Sequence, residues 1–585
     1  MSSQDQEKNL DSQPTSRADS LDTKSLESSL GVKRIEIISS QYGRIGKLMV
    51  YFAVFLISYT YGLDGGIRYV FQAQATASYS THSLLSTINV IRAVVAAAAQ
   101  VVVARLSDVF GRMEIFIVSV LFYVVGTIIE SQSYDVQRFA GGSVLYQIGY
   151  TGIILIVELI VADMSFLNWR LAAAFVPALP FIINTWISGN ITGDLGTKWS
   201  WGIGMWAIIL PVASIPLLIC FSHMQWRAKK SGQLDALSSQ HAELKRLGPI
   251  KYFGNLFWTL DVIGIILVIA IFGLILAPFT LAGGIQTEWK KAKIIAPIVI
   301  GFVCIPFFIW WEAVTKHPIA PYHLLKDRGI WTGLIIAVFI DFIWYMQGDY
   351  MYTVLIVAAN QSVKAATRIT SLYSFVSVIV GTILGVAIVP RFKRLKVFVV
   401  FGTVLWLVSM GMLIKFRGGS TSVSGIIGSL CLLGFGAGLF TYPVQVLVQA
   451  RTKHEHMAVI TALYLASYNI GSALGASVSG AIWTQLLPKE LLKNLDNTTL
   501  ATSAYGDPFT FIVNYPWGTP ERIAVVAAYQ HIQKILIIVG TCLCIPLIIA
   551  AMFTIDTKLE AVQSLADAEV ESTERQKTLK EMIFR

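Results

Sequence analysis

Asp341, Glu158, Arg92, Asp64 and Arg68 sit inside or at the ends of long apolar runs, where a charge is costly unless it is paired or hydrated. Asp341 lies about eleven residues into one run, roughly 16 Å along a helix, which sets it near the middle of a bilayer. Glu158 occupies the inner part of a second run and Arg92 lies within a third. Asp64 and Arg68 end a fourth, at a spacing that puts both on one helix face. A carboxylate that moves between dry and wet surroundings exchanges a proton with them. Asp341, with Glu158, is therefore expected to carry protons, the other reading being a static partner for a cation or hydroxyl on a neighbouring helix. Asp64 and Arg68 are expected to form a structural ion pair, with Arg92 holding a carboxylate such as Asp64.

Two aromatic stretches could contact a ligand. Tyr505 to Arg522 reads YGDPFTFIVNYPWGTPER, with prolines at 508, 516 and 520. The prolines restrict the backbone, so Tyr505, Phe509, Phe511, Tyr515 and Trp517 could be presented with little ordering cost on binding. That suits a large, weakly charged ligand; the alternative is a lid packed on the outer helix ends. The other stretch, FIWYMQGDYMYTVLIVA at 342-358, offers Tyr345, Asp349 and Tyr350, either as an interfacial aromatic belt or as the mouth of a wet cavity. The five cysteines all fall in apolar runs, so neither a disulfide framework nor a metal site is implied, and no cofactor is expected. No phosphate-binding Gly-x-x-x-x-Gly-Lys-Ser/Thr loop is present, which argues against ATP-driven pumping.

The elements that must position these groups are membrane helices. The chain is 55% hydrophobic and only 14% charged, with a mean hydropathy of +0.64, where a soluble chain carries roughly 25% charged residues. Windows of about 20 apolar residues predict fourteen spans, the fifth at 171-191 and the ninth at 331-348. The fold class is thus an all-α polytopic membrane protein in a lipid bilayer. A disordered polar tail is expected over 1-46 and six helices over 47-222. A basic loop follows at 223-259 and two inserted helices at 260-313. Six more helices are expected over 331-553, including an outer aromatic loop at 486-529, with a charged tail at 554-585. Lys and Arg favour the loops that are inside when both termini are cytoplasmic, eighteen against twelve. Sequons at Asn190, Asn360 and Asn497 then fall outside. The net charge of +10 is accounted for by this bias, without nucleic acid.

Between the second and third spans lies ARLSDVFGRME, residues 104-114. Gly111 allows a tight turn, Asp108 suits the positive end of the next helix, and the arginines, Arg112 among them, can pair with it. This resembles the signature loop of major facilitator transporters, with Ala104 and Met113 as departures, and implies gating contacts for Asp108, Gly111 and Arg112. VPRFKRLK at 389-396 holds the corresponding place if spans nine to fourteen repeat spans one to six, the arrangement by which many transporters achieve alternating access.

More specific runs follow: YGLDGGIRYVFQAQATASYSTHSLLSTINVIR at 61-92, NWRLAAAFVPALPFIINTWISGNIT at 168-192, WYMQGDYMYTVLIVA at 344-358, TRITSLYSFVSVIVGTILG at 367-385 and GTPER at 518-522. Over roughly residues 45-555 the chain resembles fungal siderophore-iron transporters of the major facilitator superfamily. The resemblance implies a fourteen-span transporter and not an enzyme. It implies import of intact ferric siderophores, mostly hydroxamates such as ferrichromes and ferrioxamines, driven by proton entry. It also links the last outer loop, here Tyr505 to Pro520, to siderophore recognition. Iron arriving inside a chelator needs no resident metal site, and no obligate protein partner is implied. The plasma membrane is the expected location, with endosomal or vacuolar membranes as alternatives. Similar proteins exchange glutathione for protons, and drug:proton antiporters share the fourteen-span layout. The Gly-Pro-x-x-Gly-Gly run of those exporters is absent from LAAAFVPALPFIINTWISGNIT, so import is favoured, with glutathione or drug:proton antiport as the alternative.

Overall fold

In hydrocarbon every backbone N–H and C=O must find a partner within the chain, so long apolar segments become helices. A computed structural model describes residues 42–79, 84–231, 249–282, 288–316, 318–319, 322–418, 422–453, 456–560 and 562. Most of the expected N-terminal tail, the middle of the basic loop and most of the C-terminal tail lie outside these residues. The helices that begin the chain are α1 (Arg44–Ser78), α2 (Leu85–Phe110), α3 (Arg112–Ser131), α4 (Val136–Asp163), α5 (Leu167–Ala174), α6 (Phe181–Leu195) and α7 (Trp206–Lys230). Next come the pair α8 (Val262–Leu281) and α9 (Ala292–Val314). They are followed by α10 (Arg328–Gly348), α11 (Met351–Val357), α12 (Val363–Ile383), α13 (Lys396–Gly418), α14 (Val423–Ala450) and α15 (Met457–Leu495). Two short helices, α16 (Thr498–Gly506) and α17 (Pro508–Asn514), precede α18 (Pro520–Phe553).

Thirteen helical stretches of the described residues are long and apolar enough to cross a membrane. The missing one is the fifth window, 171-191, which is interrupted between Ala174 and Phe181. Pro177 and Pro180 supply no N–H to the helical ladder, and residues 175–180 tighten instead into three-residue steps such as Ala178 N to Phe175 O and Phe181 N to Ala178 O, both 3.0 Å. The ninth passage also breaks, at Asp349 and Tyr350 between α10 and α11. Its carbonyls find side-chain donors: Arg417 Nη1 donates to Gln347 O at 2.5 Å and the Tyr69 hydroxyl to Gly348 O at 2.6 Å.

Helices α2 and α15 pack along one another, as do α6 and α12, and these two seams join the early helices to the late ones. The α8/α9 pair leans on α2 and α15 through α8. Close approach relies on glycine where lipid supplies no hydrophobic drive between helices. A Cβ on Gly471 of α15 would stand 2.1 Å from the Val338 carbonyl of α10. Gly471→Ala is therefore expected to cost about 1–3 kcal/mol by overpacking. The check is the thermal midpoint of the purified protein by fluorescence-detected size exclusion; an unshifted midpoint would mean that the α10–α15 contact yields.

At the end of the bundle that holds Arg112 and Arg451, an extended segment after α18 crosses between the two sets of helices. Leu559 N donates to Lys393 O at 2.9 Å, Asn168 N to Glu560 O at 3.2 Å, and Leu167 N to Val562 O at 2.9 Å. Arg394 Nη1 reaches Asp556 at 3.2 Å beside them.

Candidate functional site

The seams enclose a cavity of about 450 Å³. Gly62, Gly65 and Gly66 keep the α1 wall low, and Arg92 of α2 with Tyr146 and Gln147 of α4 continues it. The facing wall comes from α10, with Asp341, Trp344 and Tyr345, from Tyr373 of α12, and from Tyr468 and Ser472 of α15. It is a mixed surface of amides, hydroxyls, rings and carboxylates, suited to a polar organic ligand of moderate size.

Asp341 borders this cavity, and the Ser472 hydroxyl donates to its Oδ2. Glu158 does not join it. Gln445 Nε2 of α14 donates to Glu158 Oε2 at 2.5 Å, and Glu158 is absent from the lining, so the two carboxylates expected to act together have separate partners. Asp349, at the break after α10, ties three helices: it accepts from Ser86 Oγ and Asn89 Nδ2, each at 2.9 Å, and from Ser479 Oγ of α15. Tyr345 and Asp349 line the cavity, whereas Tyr350 is buried, stacked on Trp483 with centroids 3.9 Å apart.

Asp64 and Arg68 lie together in a buried cluster larger than the pair expected. Arg68 Nε lies 3.0 Å from Asp64 Oδ1, both side chains essentially without exposure, and Arg68 also pairs with Glu130 and reaches Thr127 at 3.2 Å. Asp64 accepts from the Tyr123 and Tyr146 hydroxyls at 2.6 and 3.0 Å, and Ser143 donates to Glu130 at 2.6 Å. Arg92 is not part of that cluster as expected. Its Nη1 donates to Gln72 Oε1 at 2.7 Å and its Nε to Gln147 Oε1 at 3.0 Å.

In the ARLSDVFGRME turn, Gly111 takes φ 109°, a conformation that favours glycine, as it ends α2 and begins α3. The expected pairing differs: Arg112 forms its ion pair with Asp163 at the end of α4, Nε lying 2.9 Å from Oδ2, in place of Asp108. Asp163 wins because it ends the helix that packs along α3.

The aromatic stretch is more helical than its prolines suggested. Pro508 and Pro520 occupy first-turn positions of α17 and α18, where a missing N–H costs nothing, with Asp507 and Thr519 as caps. Phe511 is buried and stacks on Tyr515 at 4.6 Å, and Phe509 sits 5.9 Å from the ring of Tyr352 on α11. Tyr505 is half-buried, and Trp517 is exposed with the Arg522 guanidinium 5.7 Å from its ring. None of the five lines the cavity.

Sequence reasoning missed Glu130, Gln72, Asn89, Gln147 and Ser479. Glu130 reads as an acid at the edge of an apolar run, but Gln72 and Asn89 each lie three or four residues from a residue already singled out, Arg68 and Arg92, which is a usable signal. Among the described residues no group of His, Cys, Asp or Glu could hold a metal ion.

This architecture of long helices meeting along two seams around a polar cavity defines a polytopic transporter of the major facilitator type. The same fold is seen in a bacterial homolog of the human lysosomal transporter Spinster in an inward-facing, occupied state, with a TM-score of 0.52 at 13% identity over 88% of this chain and 97% of that one. No family model matches the chain. The chain is 57% identical over 534 residues to siderophore iron transporter 1 of Saccharomyces cerevisiae, covering 90% of this chain and 85% of that protein. It is 33% identical over 538 residues to MFS siderochrome iron transporter C of Aspergillus fumigatus, covering 91% and 87%. The chain belongs to the siderophore iron transporters of the major facilitator superfamily.

Proposed function

We propose that this protein imports intact ferric siderophores, of the hydroxamate class, together with protons by alternating access. The observation that carries the coupling is Asp341: a carboxylate opening on the central cavity and held through Ser472 to α15, the late helix that packs on α2. Protonation there removes a charge from the cavity wall and changes what Ser472 can bond, so the protonation state biases how α10 sits on α15 and, through α15, the seam with α2. The relatives' names support the iron chelate as cargo.

In this reading both termini lie in the cytosol and helices 47-222 and 331-553 act as two six-helix bundles. Asp349 with Ser86, Asn89 and Ser479 closes the outer side. Asp108, Gly111 and Arg112, with the extended segment after α18, act on the inner side, in the plasma membrane. Glu158 and Gln445 hold α4 to α14 until the bundles part. Trp517 is the exposed aromatic that meets the chelate first, and Phe509 and Phe511 anchor the lid that carries it. Trp517→Ala is expected to raise KM about tenfold with Vmax unchanged, read from the concentration dependence of uptake, since aromatic anchors dominate such contacts. An unchanged KM would make the stretch a lid alone.

The test of the substrate is uptake of several radiolabelled ferric siderophores into iron-starved fungal cells that lack other such carriers. Accumulation of a hydroxamate chelate is the expected result. Accumulation of none, with the protein at the surface and glutathione efflux instead, would overturn the reading.

A further inference from the structure

The helix Pro249–Thr259, which joins the basic loop to α8, has two unlike sides, and among the described residues no helix packs along either. Ile250 and Phe257, seven residues apart, share one side with Leu256, while Lys251, Asn255 and Thr259, at steps of four, form the other. Ile250 is 87% exposed and Phe257 and Trp258 are exposed beside it, so the apolar side is uncovered. The place of the helix says what covers it. Asp261, at φ 51°, turns the chain into α8, where it caps the first turn through Gly264 N at 3.2 Å and accepts from Trp311 Nε1 of α9 at 2.7 Å. Trp258 stacks on Trp311 with centroids 6.3 Å apart, and the neighbouring Trp310 is exposed. Tryptophans gather in this way at the membrane–water boundary. A short amphipathic helix leaving a spanning helix at that level lies in the plane of the interface, its apolar side among the acyl chains.

The charge around it has one sign. Residues 227–251 hold Arg227, Lys229, Lys230, Lys245, Arg246 and Lys251 against only Asp235 and Glu243, and such an excess beside an amphipathic helix is matched by anionic headgroups. Lys229, Lys230 and Lys251 are exposed, and Lys230 Nζ lies 5.3 Å from the ring of the exposed Trp226.

We propose that the helix Pro249–Thr259, with the basic end of α7, docks on an anionic phospholipid surface, and that this docking steadies the ARLSDVFGRME turn. The link is Arg105, one helical turn before Asp108. Its Nη1 donates to Thr259 O at 2.9 Å, at the end of the short helix, and its Nη2 to Pro318 O beyond α9. The inner end of α2 is thus tied to the docked helix, and drawing that helix onto the bilayer restrains the turn. The reading of this end as cytosolic supplies the leaflet, since the cytoplasmic one is negatively charged. Docking itself depends neither on that reading nor on the cargo.

The test uses the full chain in nanodiscs of phosphatidylcholine alone and of an equal mixture with phosphatidylserine, both leaflets alike, so that neither orientation nor transport enters. Amide hydrogen exchange, read by mass spectrometry, follows the peptides over 249–259 and 104–114. Exchange over 249–259 is expected to be about tenfold slower in the mixed discs, with the difference shrinking as salt is raised. Lys251→Gln should speed it about fivefold there, the share of one lysine near a charged surface, and leave it unchanged in the neutral discs. Arg105→Gln should keep the lipid response over 249–259 and lose it over 104–114; a response that persists over 104–114 would overturn the link. Inorganic phosphate added to neutral discs should slow neither peptide, and slowing by it would make this a small-anion site instead of a lipid one. Equally fast exchange over 249–259 in both kinds of disc would overturn the proposal and leave the face to an acidic protein partner.

Discussion

Asp341→Asn is expected to leave a folded protein at the surface that exchanges labelled chelate across the membrane but no longer concentrates it. Asparagine keeps the size of the side chain and an oxygen that can accept from Ser472, so packing at the α10–α15 contact survives. What it loses is the ability to gain and release a proton. A proton crossing 100 mV releases about 2.3 kcal/mol, enough for roughly fortyfold accumulation at about 1.4 kcal/mol per tenfold. In the variant that ratio should fall to about unity for the same potential. The sign of the pH dependence follows from the same step. Wild-type uptake rises as the outside is acidified, because the carboxylate must be loaded from that side, and the variant's uptake should be flat with pH. Counterflow and net uptake measured on the same cells separate the two effects. Loss of both would mean that the residue supports the fold or binds cargo instead, and full uptake with an unchanged pH profile would remove it from the coupling.

The second large effect is on folding. Arg68→Leu is expected to remove nearly all folded protein from the membrane. It leaves Asp64 and Glu130 facing one another without their cation, both in a part of the bundle that water does not reach. Breaking a buried pair from one side costs about 3–5 kcal/mol, against total stabilities of about 5–15 kcal/mol. Arg68→Lys should be intermediate, because one ammonium cannot reach Asp64, Glu130 and Thr127 together as three guanidinium nitrogens do. Adding Glu130→Gln to Arg68→Leu should recover part of the loss by removing one orphaned charge. The measurement is the monodisperse fraction extracted from membranes, and a wild-type yield for Arg68→Leu would show that the cluster is hydrated.

Hydropathy made the helices legible because lipid allows a long apolar stretch almost no other structure. It did not show the interruption within 171-191, where Pro177 and Pro180 leave the window apolar and yet break the ladder. The Asp64–Arg68 pair was legible because i,i+4 spacing fixes a face within one helix. The partners that complete it, Glu130, Tyr123 and Tyr146, come from α3 and α4, and nothing in one helix's pattern sets the rotation of its neighbour. Arg92 failed for the same reason, since its partners Gln72 and Gln147 lie on α1 and α4 and carry no charge to flag them. The stretch at 505-522 shows the opposite error, in which the prolines were read as stiffening a loop where Pro508 and Pro520 begin helices.

Import driven by protons is tested most directly with purified protein in sealed liposomes, supplied outside with a labelled ferric hydroxamate chelate and given an inward proton gradient of chosen size. Chelate accumulating inside above its outer concentration, in step with the gradient and abolished by a protonophore, is the result predicted. Chelate that equilibrates without concentrating, or that leaves the liposomes when protons enter, would contradict proton-coupled import.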